Sequence, residues 1–211
     1  MRALAALTAT AALSSSAFAI ITNVTGSATV APIPPSLTIG AFESNEQARI
    51  MFERNRLLPE AQEVDITATG LVDQLSDLTP GAIPAGTAVS SYILHADSVG
   101  ITTRTYEGSV TFSDDILGII VGSNRLINTD ARFGRDGTAY WNGTSRGLDL
   151  GANPGTETLF LSVNRNTVAF RLTVGEGMDE VRVLTAIPSP GALALAGLAA
   201  STGLRRRRFA R

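Results

Sequence analysis

The side chains able to do chemistry are few and of narrow type. His95 is the single histidine, the chain has no cysteine, and all 17 basic residues are arginine. A Schiff base, a thiol nucleophile, a Cys-ligated metal and a multi-histidine centre are therefore excluded within one chain. Oxygen chemistry survives. A Ser-His-Asp arrangement would have to use His95, which stands near Asp97 and Ser98, but no Gly-x-Ser-x-Gly elbow accompanies it. In its alternating segment His95 shares a face with Ile93, opposite Tyr92 and Leu94, so a structural histidine satisfied by a hydrogen bond is expected. No catalytic residue is assigned.

Carboxylates and aromatics offer three further chemistries. Asp114, Asp115, Asp130, Asp136 and Asp149 could supply the facing pair of a glycosidase, which needs about 5–9.5 Å between carboxyl groups. Calcium takes the same residue type, together with loop carbonyls. Asn128-Thr129-Asp130 and Gly134-Arg135-Asp136-Gly137 make Asp130 and Asp136 the calcium candidates, without EF-hand spacing; the competing expectation is that they form turns. No other cofactor is expected. A Gly-rich stretch over residues 133–153 holds the only Trp. There Tyr140, Trp141, Asn142, Arg146 and Asp149 form a candidate carbohydrate contact, because sugars stack on rings and bond to flanking polar groups. The alternative is a loop whose aromatics fold back to cap the domain.

These residues sit among short β-branched stretches separated by Gly, Pro, Asn and Asp. Candidate strands are 64–69, 89–96, 108–112, 116–122, 158–163, 167–174 and 180–185, and helical periodicity is scarce. Leu159, Leu161 and Val163, then Val168, Phe170 and Leu172, alternate on either side of Asn164-Arg165-Asn166, which predicts an antiparallel hairpin. The nearly continuous apolar run of Ile116, Leu117, Ile119, Ile120 and Val121 suits a strand covered on both faces or at the centre of a sandwich. Residues 43–58 fit a helix or a strand, and residues 20–35 read as an extended lead-in. The pattern predicts an all-β fold, a β-sandwich of jelly-roll type, over residues 20–186.

Both termini read as addresses. Residues 1–19 carry Arg2, an apolar run and the small-x-small site Ala17-Phe18-Ala19, the layout of a signal peptide, with the mature chain beginning near Ile20. Residues 187–211 carry Pro188-Ser189-Pro190, 14 uncharged residues from 191 to 204, and Arg205, Arg206, Arg207 and Arg208. Those 14 residues make about 21 Å of helix, a marginal single membrane segment, and the arginines set it with the body outside.

This tail resembles the PEP-CTERM sorting signal of bacteria, with Ser189 where the family has Glu. The resemblance implies an exosortase-type sorting protease as partner, an inner-membrane intermediate, and release or attachment at the cell surface. The body is also similar, through Ile83-Pro84-Ala85-Gly86-Thr87, Ser91-Tyr92-Ile93-Leu94-His95, Gly108-Ser109-Val110-Thr111-Phe112 with Ile116-Leu117-Gly118, and Val181-Arg182-Val183, to uncharacterised PEP-CTERM proteins. That similarity implies an exported β domain and carries over no functional residue.

Charge agrees with export. Six arginines lie in the two termini and all 19 acidic residues between Glu43 and Glu180, leaving a body of formal charge −8. Nucleic-acid binding, which needs clustered cations, is not expected. The expectation is a non-enzymatic surface or extracellular-matrix protein of structural or adhesive type, with exopolysaccharide as a candidate partner. The alternatives are a carbohydrate-binding module and a secreted glycoside-active enzyme.

Overall fold

The computed structural model describes residues 19–151 and 156–187. Segments with apolar residues at every second position can bury them only as strands lying on a core. One antiparallel sheet runs in the order β1 (Ile21–Gly26), β9 (Arg104–Phe112), β13 (Thr167–Val174), β12 (Thr158–Leu161) and β6 (Gly70–Val72). A second runs β10 (Ile116–Ile120), β14 (Met178–Ala186), β8 (Ala88–Asp97), β4 (Ala48–Leu57) and β2 (Ala28–Val30), antiparallel except between β2 and β4. Two short pairs complete the strands: β3 (Ser36–Leu37) with β11 (Ala139–Tyr140), and β5 (Gln62–Val64) with β7 (Gly81–Ile83). A 3-10 turn covers Leu75–Asp77, and α1 spans Ser123–Phe133. The fold is all-β, built of several sheets.

Alternation divides the second sheet into two faces with different company. Tyr92, Leu94, Val181 and Val183 join Val110, Phe112, Val168, Phe170 and Leu172 of the first sheet in one apolar cluster. Met51, Ile93, Ile120 and Leu184 lie in a second cluster with Leu126 and Phe133 of α1. A sheet face that would otherwise meet water is thus roofed by a helix, and its polar residues become interior residues.

The expected hairpin is present: Leu159 pairs with Phe170 and Leu161 with Val168. Its connection is longer than three residues, because Arg165 takes a left-handed φ of 57° and Val163 turns out to solvent. Of the two alternatives for residues 43–58 the strand is present, as β4, whereas the lead-in, expected to be merely extended, contains β1 and β2. Gly26 makes the turn between these two, with a φ of 63° and no room for a side chain beside the Glu107 carbonyl. The segment 64–69 is broken at Asp65, since the Asp65 and Ile66 amides and the Ile66 carbonyl bond to Ile119. Those bonds close the outer edge of β10, which lies at the end of its sheet and is nevertheless covered on both faces.

Candidate functional site

The polar residues under the roof are joined into one chain of charges. On β14, Glu180 and Arg182 occupy alternate positions of the covered face; His95 and Ser91 lie opposite on β8, and Glu53 on β4. Arg182 grips Glu53 with two hydrogen bonds, Nε to Oε2 and Nη2 to Oε1, both at 2.8 Å. Its Nη2 also donates to Asp130 Oδ1 at 2.8 Å, and its Nη1 to Thr129 Oγ1 at 2.7 Å and the Leu126 carbonyl at 3.1 Å. Asp130 takes a second arginine, Arg146, on both carboxylate oxygens. Arg146 Nε reaches Glu180 Oε2, and Glu180 Oε1 meets His95 Nδ1 at 2.9 Å. The order Glu53, Arg182, Asp130, Arg146, Glu180, His95 alternates in charge as far as Glu180. In all of these but Asp130 the side chain is fully enclosed.

Local structure makes this possible. Gly122 and Gly134 bracket α1, and Leu126, Thr129 and Phe133 form its buried stripe. The Asp65 carboxylate accepts from the Val121 and Gly122 amides and from Arg125, placing negative charge at the positive end of the helix. The loop after α1 returns at Gly147, where a Cβ would stand 2.1 Å from the Val121 carbonyl oxygen. Ser123 Oγ accepts from the Arg146 and Gly147 amides there. This close approach drives Arg146 inward.

Electrostatics follow the pairing. Burial alone would push the Glu180 carboxyl up, but the His95 hydrogen bond and the Arg146 charge hold it below the ordinary glutamate range. Burial alone would lower Arg182, and Glu53 with Asp130 more than offset it, so it is held above its ordinary value. The Tyr140 ring lies 5.2 Å from the Arg146 guanidinium and 5.9 Å from that of Arg182. Burial, then Glu53, pushes the Tyr140 hydroxyl pKa up, and that oxygen accepts from the Arg135 amide.

The predicted site residues separate under this geometry. Arg146 is no surface contact: it is fully buried and its donors are spent on Asp130, Glu180 and the Trp141 carbonyl. Tyr140 faces the same network, and Trp141 lies half-buried against Gly143 with its indole nitrogen unpartnered. Asn142 and Asp149 are exposed. The calcium candidates also part. Residues 128–130 belong to α1 rather than to a loop, Asp130 is occupied by two arginines, and exposed Asp136 pairs with Arg54 at 2.5 Å. His95 shares a face with Ile93, as expected, and only its Nε2 lacks a partner. Asp114 accepts from Ser113, at the turn between β9 and β10 where Asp115 also lies.

Sequence reasoning missed α1, Glu53, Arg182 and Glu180. The usable signals were Leu126 and Phe133 seven residues apart between two glycines, and charges alternating with Val181 and Val183 in one strand. Pro188, Ser189, Pro190 and Arg205 to Arg208 lie outside the described residues, as does Ala17. Ala19 is described and buried, and its carbonyl accepts from the Tyr92 hydroxyl, whose pKa burial and Asp114 push up to about 12. No family model, curated protein or solved structure matches this chain.

Proposed function

We propose that the chain is an exported, non-enzymatic protein of the bacterial cell surface or extracellular matrix. Its body serves as a rigid structural or adhesive module, and its PEP-CTERM-like tail delivers it. The observation that carries the reading is the fate of the reactive side chains. The single histidine and five charged partners are consumed in tying α1 and the following loop to a sheet, so His95 has no route to a substrate proton. Chemistry-capable residues are spent on rigidity. We read the two five-stranded sheets, which share one apolar cluster, as the layers of a β-sandwich of jelly-roll type. The terminal segments supply the address, with an exosortase-type protease as the processing partner.

The test is expression of the full chain in a host with and without the matching sorting protease, followed by the intact mass and location of the product. A body shortened by about 25 C-terminal residues and found outside only with the protease supports the reading. An intact chain held in the inner membrane in both hosts overturns it. The same mass reads the leader. A body beginning near Ile20 is the expected product.

A further inference from the structure

A cavity of about 180 Å³ beside the turn from β13 to β14 is lined by four acidic residues, Asp149, Glu157, Glu176 and Asp179, of which Glu157 and Asp179 are buried. Asp179 comes from β14 in the second sheet, Glu157 immediately precedes β12 in the first, and Asp149 lies in the connection between β11 and β12. The backbone of residues 175–177, which turns β13 into β14, closes another wall.

The contents of this cavity are out of balance. Asp179 is 6% exposed, and no donor reaches its Oδ2. Glu157 is 4% exposed and takes the Asp149 amide on Oε2 at 2.5 Å. The Glu157 and Asp179 carboxyl groups meet each other, a contact between two acceptors when both are ionised. Among the described residues no arginine or histidine forms an ion pair with Asp149, Glu157 or Asp179, whereas buried Glu53, Asp65 and Glu180 each have one and buried Asp97 accepts the Gly40 amide. Buried carboxylates are ordinarily paired, hydrogen-bonded or bound to a metal.

We propose that this cavity is a divalent-cation site of the calcium type, held by Asp179 and Glu157 and bordered by Asp149. Among the described residues no three acidic or imidazole side chains lie close enough together to hold a metal ion between them. The site is therefore one of two buried carboxylates completed by oxygens of the lining backbone and water, the mixed oxygen set that calcium accepts. Its place gives it a purpose. Glu157 leads into a strand of one sheet and Asp179 lies in the other, so a cation between them staples the two sheets, on the opposite face of β14 from the Glu53–Arg182 pair.

The test is thermal unfolding of the full chain at pH 7.5, in EDTA and in about 10 mM CaCl2, for the wild type and Asp179→Asn. Extracellular calcium modules bind at about 10⁻⁴–10⁻³ M, for which linkage gives the wild type a calcium-dependent rise of about 3–10 °C in Tm. Asp179→Asn keeps the size of the side chain, removes a carboxylate that no cationic side chain pairs, and loses the calcium response. Calorimetric titration of CaCl2 shows one site in the wild type and none in the variant. A wild-type Tm indifferent to calcium, or a variant that keeps the full rise, overturns the proposal. Neither result depends on where the protein is sorted.

Discussion

Asp179 and Glu180 are consecutive residues of one strand, both deeply buried, and they live in opposite electrostatic worlds. Glu180 points under the α1 roof, where Arg146 and His95 meet both of its oxygens, and its carboxyl is held below the ordinary range. Asp179 points to the other side, where it meets another carboxyl group, and burial followed by the Glu157 charge pushes it well above the ordinary aspartate range. Burial is nearly the same for the two, so depth does not set the state of either group. What separates them is which segment comes back across the sheet: an arginine on one face, a glutamate on the other. The strand register decides this, because a slip of one residue would exchange the two faces.

The sharpest way to break the comparison is to empty the well-partnered side. Arg182→Met leaves Glu53 enclosed without a cation and deprives Asp130 of one of its two arginines. A buried charge stripped of its partner costs about 3–5 kcal/mol, which for a domain of this size lowers Tm by about 10 °C or more. The double variant Glu53→Leu/Arg182→Met is expected to recover part of that loss, since it removes the orphaned charge as well. Equal Tm values for the single and double variants would show that packing around Arg182, rather than pairing, carries the effect.

This network also marks where the sequence stops being legible. The hairpin of Leu159 and Leu161 with Val168, Phe170 and Leu172 is readable because its partners are neighbours in the chain and its period is two. The face shared by Ile93 and His95 is readable for the same reason. Arg146 was not, because a charged residue in a Gly-rich loop looks solvated, and only the return of Gly147 onto the Val121 backbone turns it inward. Glu180 and Arg182 likewise look like the wet side of a half-buried strand, and α1 makes that side interior. Glu53 and Arg182 are 129 residues apart, a separation that no local pattern spans. The helix itself hid behind Asn128-Thr129-Asp130, residue types that favour turns unless the flanking Leu126 and Phe133 are read as one stripe.

Acid tests the Glu180 side more gently. Its folded pKa is depressed, so the stability it contributes is present above the unfolded value, near 4.5, and is lost as pH falls through the lower folded value. Tm measured from pH 6 to pH 3 should therefore fall below about pH 4.5, and Arg146→Met, already destabilised, should fall less steeply. The loss is smaller than for Arg182→Met, because a protonated carboxyl can still hydrogen-bond. A parallel decline in the two proteins would detach the acid limb from Glu180.

On the unpaired side the sign reverses. Asp179 has a raised folded pKa, so the folded state binds the proton more tightly than the unfolded chain. With no cation present, stability then falls as pH rises from the ordinary aspartate range through the folded value. In EDTA at pH 7.5, Asp179→Asn should gain on the order of 1 kcal/mol, about 2–4 °C in Tm. The matching change on the other face, Glu180→Gln, should lose stability, because Arg146 and His95 then face a neutral amide. If both substitutions shift Tm in the same direction, the contrast between the two faces is not electrostatic.

The smallest effect belongs to Asp136. Its side chain is 97% exposed and among the described residues its one ion partner is Arg54, whose guanidinium holds the carboxyl below the ordinary range. An exposed pair is screened by water and salt and holds a flexible side chain at an entropic cost that offsets most of its attraction. Asp136→Ala should therefore leave Tm unchanged within measurement, both in EDTA and in CaCl2. That result separates the two acidic regions of the molecule. Asp136 lies in a Gly-rich loop and looks like a calcium ligand in sequence, whereas Asp179 sits in an apolar strand and does not. Should Asp136→Ala abolish the calcium response while Asp179→Asn keeps it, the cation would belong to the exposed loop and the buried carboxylates would need another source of neutralisation.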